Sequence, residues 1–157
     1  MFSRRILAGA AIVLALGAGG VAAQNYNLQP SFGTANLRFN FAPDPFVVNV
    51  TAGGNIPAER IGGPGCVGSI AQPPDVRLNY QAGGGLPLWI GARSRGDVTL
   101  VVNLPNGRWV CNDDFQGTDP GLVFGQPQSG QYDIWVGHYD RGRGVPAQVF
   151  FSEVPPR

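Results

Sequence analysis

Apolar and polar side chains alternate along much of the chain from residue 24 onward. The clearest example is the segment 98–104, in which apolar residues fill the even positions and Thr99 and Asn103 lie between them. A period of two is typical of a β-strand that buries one face, whereas an amphipathic helix repeats about every 3.6 residues. No window after residue 24 keeps the helical period, so the chain is predicted to be all-β.

About eight strands follow from this alternation and from the glycine and proline residues that separate the apolar segments. The predicted strands are 35–41, 46–51, 76–81, 86–92, 98–104, 108–112, 131–139 and 148–153. Asn106-Gly107 predicts a hairpin between the fifth and sixth strands, because a tight turn needs positive φ. Strands that each bury one face need a second sheet to cover them. The chain is therefore predicted to form a single antiparallel β-sandwich of the jelly-roll type.

Residues 1–23 have the pattern of a secretory signal peptide. Arg4 and Arg5 precede an apolar stretch, and Val21-Ala22-Ala23 provides the small residues that a signal peptidase requires. We therefore expect a signal peptide at 1–23, a β-sandwich domain at 24–157, and a secreted or periplasmic protein. The alternative is an uncleaved membrane anchor, which the glycines within this stretch disfavour.

Charge narrows the class of partner. The chain has no lysine, and without Arg4 and Arg5 nine arginines face ten acidic residues. A nearly neutral surface without a basic cluster argues against a nucleic-acid partner and against attraction to an anionic membrane.

The two cysteines, Cys66 and Cys111, are predicted to form a disulfide, because an even number of cysteines in an exported protein indicates pairing. On the chain-entropy model such a bond contributes on the order of 4 kcal/mol. Two buried free thiols are the alternative. The glycine-rich segment 53–65 is predicted to be a loop that delivers Cys66 to the other sheet.

One region of the chain resembles a known family. It contains an Asp-led strand at Asp97, the turn Pro105-Asn106-Gly107, the sequence Trp109-Val110-Cys111, the pair Asp113-Asp114 and a later strand that begins Gly130-Gln131-Tyr132. This combination resembles the bacterial pre-peptidase C-terminal domain. The whole chain after residue 23 is also similar to small stand-alone secreted proteobacterial proteins, some of which carry a loose label of trypsin-like serine peptidase. The first resemblance implies a secreted β-sandwich that assists enzymes as a non-catalytic accessory module.

The peptidase label can be tested on the residues. Serine acyl transfer needs a nucleophile, a positioned base and an orienting carboxylate. His138 is the only histidine, and no Gly-x-Ser-x-Gly sequence surrounds any serine. We therefore expect no catalytic residues and no enzyme activity. A peptidase that uses His138 is the opposing hypothesis, and it requires Ser69, Ser94, Ser129 or Ser152 to lie within hydrogen-bonding reach of the imidazole.

Calcium is the candidate cofactor. The hairpin is expected to place Asp97 near Asp113 and Asp114, with Asp119 close by in the chain, and carboxylates gathered in this way repel one another unless a cation neutralises them. The alternative is an Asx-type turn at 112–114 whose carboxylates pair with Arg93 or Arg95.

Three tryptophans, Trp89, Trp109 and Trp135, raise the possibility of a ligand site, because indole rings on a sheet stack on sugars or proline-rich peptides. Core packing is favoured, with one ring packed over the disulfide and at least one ring partly exposed. The sequence thus predicts a secreted non-catalytic binding or structural module. Its expected partner is a secreted or cell-surface protein or polysaccharide, with self-association through an exposed sheet edge as an alternative.

Overall fold

The computed structural model describes residues 24–140 and 144–156, so the predicted signal peptide at 1–23 lies outside the described residues. In these two ranges the chain forms eleven strands and one 3₁₀ turn at Ala58–Arg60. The strands are β1 Thr34–Arg38, β2 Phe46–Ala52, β3 Ile56–Pro57, β4 Ser69–Ile70, β5 Val76–Gln81, β6 Leu88–Ser94, β7 Val98–Asn103, β8 Trp109–Asn112, β9 Gly121–Phe124, β10 Gly130–His138 and β11 Val145–Ser152. The described part holds no helix with the length and apolar character needed to cross a membrane.

Two sheets stack to form the predicted sandwich. The seven-stranded sheet has the order β1-β5-β10-β4-β3, with β7 paired to β10 and β8 paired to β7. The four-stranded sheet has the order β2-β11-β6-β9. The all-β sandwich predicted from the alternating pattern is therefore confirmed.

All eight predicted strands are present, with ends that move by up to a few residues. The pattern did not predict three short strands, of which β3 and β4 have two residues each and β9 has four. One detail of the prediction is wrong, because β1 runs parallel to β5 and the sandwich is not purely antiparallel. A parallel pair needs a long crossover connection, and here the chain passes through β2 in the other sheet and then through β3 and β4 before it reaches β5.

The predicted hairpin joins β7 and β8. Val101 faces Cys111 in the register, and Gly107 takes a φ of 79°. The Asn106 side-chain oxygen accepts a hydrogen bond of 3.0 Å from the Arg108 N–H group, which closes the turn. The turn residues therefore act as the sequence indicated.

The main core lies between the two sheets. Its largest fully buried side chains include Tyr132, Phe151, Leu78 and Leu100. Each such side chain contributes about 1.5–3 kcal/mol when it leaves water, so burial in this layer is a main stabilising contribution.

A second apolar cluster lies on the outer face of the seven-stranded sheet. Trp135 is fully buried there beside Val101 and Ile70, and the segment that carries β3 and the 3₁₀ turn covers it. Cys66 and Cys111 are disulfide-bonded at the margin of this cluster. The predicted disulfide is confirmed, and the segment 53–65 does carry the chain from β2 to the other sheet, although it also contains β3 and the 3₁₀ turn.

Candidate binding surfaces

Three aromatic side chains form a layer on the outer face of the four-stranded sheet. Trp89 belongs to β6, Phe150 belongs to β11, and Phe115 lies in the loop before β9. Phe115 is 46% exposed, whereas Trp89 is partly buried and Phe150 is 7% exposed. We call this surface, defined by Trp89, Phe115 and Phe150, the aromatic face.

Two glycines hold these rings close to the sheet. Phe150 faces Gly91 in the strand register, and Gly91 faces Gly121 on the next strand. A Cβ atom at Gly91 would lie 2.2 Å from Cζ of Phe150, and one at Gly121 would lie 3.1 Å from Cδ1 of Phe115. Glycine within a strand commonly marks such a close approach. The rings therefore lie over backbone, and the surface is formed before any partner arrives.

Polar groups are interleaved with the rings. The Trp89 and Phe115 rings meet edge to face at a centroid distance of 5.7 Å. The Trp89 Nε1–H group is buried and has no hydrogen-bond acceptor within the described residues. The Arg93 guanidinium lies 4.8 Å from the centroid of the Phe150 ring, within the range of a cation–π interaction. This surface thus offers apolar area with a cation held over one ring, whereas the buried indole N–H group is not presented to a partner.

A groove runs beside the aromatic face toward the end of the chain. It encloses about 350 Å³. Its lining residues include Asp44, Pro45, Phe150, Val154, Pro155 and Pro156. Pro156 also lines the small cleft between Trp89 and Phe115. The chain's own Pro155-Pro156 segment therefore lies against the same aromatic surface.

The exposed part of the other sheet has a different chemistry. Asn36, Asn79 and Gln131 form one cross-strand row on the outer face of β1, β5 and β10. The Asn79 Nδ2–H group donates to Asn36 Oδ1 at 2.9 Å, and the Gln131 Nε2–H group donates to Asp133 Oδ2 at 2.7 Å. We call this surface, defined by Asn36, Asn79 and Gln131, the amide face. Many of its polar groups already satisfy one another.

An ion pair beside the amide face is also satisfied within the sheet. The Arg77 guanidinium donates through Nε to Asp133 Oδ1 at 2.7 Å, and the Asp133 side chain is only 2% exposed. A buried carboxylate with a guanidinium partner and a second donor is well satisfied. These residues brace the sheet and leave little binding capacity unused.

The carboxylates predicted to bind calcium lie in two places. Burial raises the pKa of Asp97, and repulsion from Asp114, Asp140 and Asp113 raises it further, so these groups lie near one another as the hairpin predicted. Asp119 is directed elsewhere and accepts a hydrogen bond of 3.2 Å from the Ser94 N–H group.

No group of three or more His, Cys, Asp or Glu side chains within 24–140 and 144–156 is arranged to hold a metal ion. Asn112 bridges the loop instead, because its Oδ1 accepts the Gly121 N–H at 2.8 Å and its Nδ2–H donates to the Asp114 carbonyl at 3.3 Å. Calcium stays a prediction.

The serines required by the peptidase hypothesis have separate roles. Ser94 donates to the Pro146 carbonyl, Ser129 accepts from the Ala82 N–H, and Ser152 donates to Asp44. Ser69 lies opposite His138 in the pairing of β4 with β10. Nδ1 of His138 is buried and has no hydrogen-bond partner within the described residues. The peptidase alternative therefore depends on Ser69, and no hydrogen bond between its hydroxyl and His138 is present among the described residues.

The tryptophans divide between the two sheets. Trp135 and Trp109 pack together in the disulfide cluster at a centroid distance of 5.2 Å, which confirms core packing for these two rings. Trp89 is the ring that reaches the outer surface of the four-stranded sheet. Phe115 and Phe150 were not predicted as site residues, and Arg93 was predicted only as a partner of the carboxylates at 112–114. The sequence feature that could have indicated the two phenylalanines is the presence of Gly91 and Gly121 within predicted or adjacent strands, because glycine in a strand marks a close approach of another group.

Comparisons with known proteins are sparse. No protein-family model and no curated protein matches the chain. Among solved structures, the crystal structure of Aeromonas hydrophila PliG, a periplasmic lysozyme inhibitor of g-type lysozyme, is similar at 15% sequence identity and a TM-score of 0.42. The match covers 76% of this chain and 96% of that chain.

Proposed function

We propose that this chain is an exported, disulfide-braced binding module without catalytic machinery, and that its partner binds the aromatic face. The observation that carries the proposal is the placement of the Phe150 and Phe115 rings over Gly91 and Gly121 beside Trp89. Phe115 remains 46% exposed in this layer, and a partner that packs on it and on Trp89 removes that apolar area from water. Partly exposed aromatic side chains with one polar atom are enriched in binding surfaces.

Two features support a location outside the cytoplasm. The Cys66–Cys111 bond is of the kind that persists in oxidising compartments. The signal-peptide pattern at 1–23 agrees with this, and both are consistent with a protein that acts in the periplasm or beyond the cell. The resemblance to the pre-peptidase C-terminal domain adds an accessory role beside a secreted enzyme.

The chemistry of the aromatic face favours a flat, neutral ligand. Indole and phenyl rings stack on the apolar faces of sugars and on proline rings, and the buried Trp89 N–H group adds no hydrogen bond to such a ligand. The proposed partner is therefore a polysaccharide or a protein segment rich in proline, presented outside the cytoplasm.

The experiment is a screen of the oxidised protein on oligosaccharide and proline-rich peptide arrays, followed by titration of each ligand found. Trp89→Phe should weaken binding at least several-fold, because it removes part of the stacking area. Trp109→Phe is the matched control and should leave the affinity unchanged, because Trp109 belongs to the disulfide cluster.

The proposal fails for a ligand whose affinity falls with Asn79→Ala and is untouched by Trp89→Phe. That pattern would place the binding site on the amide face. A ligand insensitive to both changes would also contradict the proposal.

A further inference from the structure

β2 is an open edge of the four-stranded sheet. It forms one end of the order β2-β11-β6-β9 and spans seven residues from Phe46 to Ala52. Within the described residues, the backbone of 46–52 makes no hydrogen bond outside its strand ladder. A strand in this position presents a row of unused N–H and C=O groups, which are a template for another strand.

The other strands at sheet edges are protected in ways that β2 is not. β9 has four residues and β3 has two, and each is too short to offer a long template. β8 carries the disulfide, and β1 contains Arg38. β2 contains no charge and no proline, and those are two of the devices by which proteins block edge pairing.

The sequence of β2 is nearly the same when it is written in reverse order about Asn49. In an antiparallel pair of two copies centred on Asn49, Val48 of one copy faces Val50 of the other. Val47 faces Thr51, which has almost the same shape, and Asn49 faces Asn49. Pairs of β-branched residues directly opposite one another stabilise a sheet. The strand is thus complementary to itself in one register.

We propose that two copies of this chain associate by antiparallel pairing of β2 with β2 about a two-fold axis at Asn49. The Asn49 Oδ1 atom accepts a hydrogen bond of 3.0 Å from Gln148 Nε2 of its own chain, which leaves the Asn49 amide N–H groups for the second copy. Phe46 and Val48 face the core yet stay partly exposed in the single chain. A second β2 covers them.

The pairing makes the two four-stranded sheets continuous and places both aromatic faces on the same side of the dimer. A ligand that repeats along a polymer would then meet two sites at once. The association itself does not depend on the proposed ligand. The proposed interface involves seven strand residues from each copy, whereas a standard interface involves roughly 20–30 residues from each partner. The dimer is therefore expected to be weak, and its fraction should rise with protein concentration.

The test compares Asn49→Lys with Gln148→Lys in the oxidised protein. Both variants remove the Asn49–Gln148 hydrogen bond and both add one positive charge to the same face, but only Asn49→Lys places two ammonium groups opposite each other at the axis. Sedimentation equilibrium over a range of concentrations should show a dimer for the wild type and for Gln148→Lys, and a monomer for Asn49→Lys. Circular dichroism checks that each variant is folded.

A second measurement decides the register even if a lysine variant does not fold. Asn49→Cys should yield a disulfide-linked dimer on mild oxidation, whereas Gln148→Cys, one strand further in, should not. A wild type that stays monomeric at its highest soluble concentration overturns the proposal. So does a dimer that survives Asn49→Lys, or an Asn49→Cys protein that does not crosslink.

Discussion

The outer faces of the two sheets differ in how far the chain covers their large side chains. On the seven-stranded sheet, Trp135 and Trp109 lie under the chain's own β3–β4 segment, and the disulfide holds that cover in place. On the four-stranded sheet, Pro156 lines the cleft between Trp89 and Phe115, and within the described residues Phe115 stays 46% exposed. The same residue types therefore form a core on one side and a partly exposed layer on the other. The difference lies in how much cover the chain supplies.

The exposed polar side chains of the seven-stranded sheet are paired with one another. Asp133, Gln131 and Asn79 find partners within the sheet. The buried N–H groups of Trp89 and Trp135 both lack an acceptor among the described residues, so unpaired indoles do not distinguish the two faces. A surface whose polar groups are already paired has less to gain from a ligand than one that exposes aromatic area. This contrast supports the aromatic face as the proposed binding surface.

Loss of the disulfide should have the largest effect. The double variant Cys66→Ser with Cys111→Ser is expected to lose about 3–5 kcal/mol of unfolding free energy, because the β3–β4 segment is then free to leave the seven-stranded sheet. Urea unfolding followed by tryptophan fluorescence measures this loss. Reduction of the unsubstituted protein provides the control and should give a similar loss. A loss below about 1 kcal/mol would show that the cover holds without its bond.

A buried carboxylate makes the covered sheet sensitive to pH. Burial raises the pKa of Asp75 to about 7, although its Oδ2 atom accepts the Val136 N–H group at 2.7 Å, which lowers the pKa. The folded state therefore holds the proton more tightly than the unfolded state. The resulting stabilisation is present below the unfolded pKa of about 3.8 and is lost as the pH rises through 7.

Asp75→Asn keeps the acceptor for Val136 and removes the titration. Above pH 7 this variant should be more stable than the wild type by roughly 2–4 kcal/mol, and the difference should shrink toward zero at acid pH. Urea unfolding of both proteins across the pH range measures the difference in unfolding free energy. The contributions of all other carboxylates are the same in both proteins and therefore cancel. A difference that does not change with pH would contradict the account.

The role of the strand glycines beneath the aromatic face can be tested at Gly91. Gly91→Ala places a methyl group against the Phe150 ring and should cost about 1–3 kcal/mol. It should also change the fluorescence of Trp89 if the displaced ring disturbs the layer. Gly125→Ala is the control, because nothing lies within 4 Å of its added methyl group, and its unfolding free energy should barely change. Equal losses of unfolding free energy from the two substitutions would contradict the claim that the Phe150 ring requires glycine at position 91.

Calcium is expected to have the smallest effect. If the carboxylates around Asp97 bind the ion weakly, millimolar calcium should raise the melting temperature by no more than a few degrees over a chelator control. Asp113→Asn should abolish the shift, whereas Asp119→Asn should preserve it, because Asp119 hydrogen-bonds to Ser94 away from this group. A shift that survives Asp113→Asn would show that calcium binds elsewhere.

The alternating pattern was sufficient for the sandwich and for the hairpin at Asn106-Gly107, because both depend on local periodicity and turn chemistry. It could not predict β3 and β4, because two residues carry no period and their side chains pack on the distant residues Val101 and Trp135. The parallel pairing of β1 with β5 likewise depends on contacts between distant segments.

The candidate site was predicted in part. Trp89 was one of three candidates, and strand parity alone could not tell which rings the chain would cover. Phe115 lies in a loop, where the sequence has no period to analyse. Phe150 and Arg93 gain their roles only from the register that places β11 beside β6.

The most direct test of the central claim is a nuclear magnetic resonance titration of the isotope-labelled, oxidised protein with a ligand found on the arrays. If the ligand binds the aromatic face, chemical-shift changes should concentrate at the Trp89 indole N–H group and at the backbone amides of Gly91, Gly121 and Phe150. Changes concentrated at Asn36, Asn79 and Gln131, with the Trp89 signal unmoved, would contradict the claim.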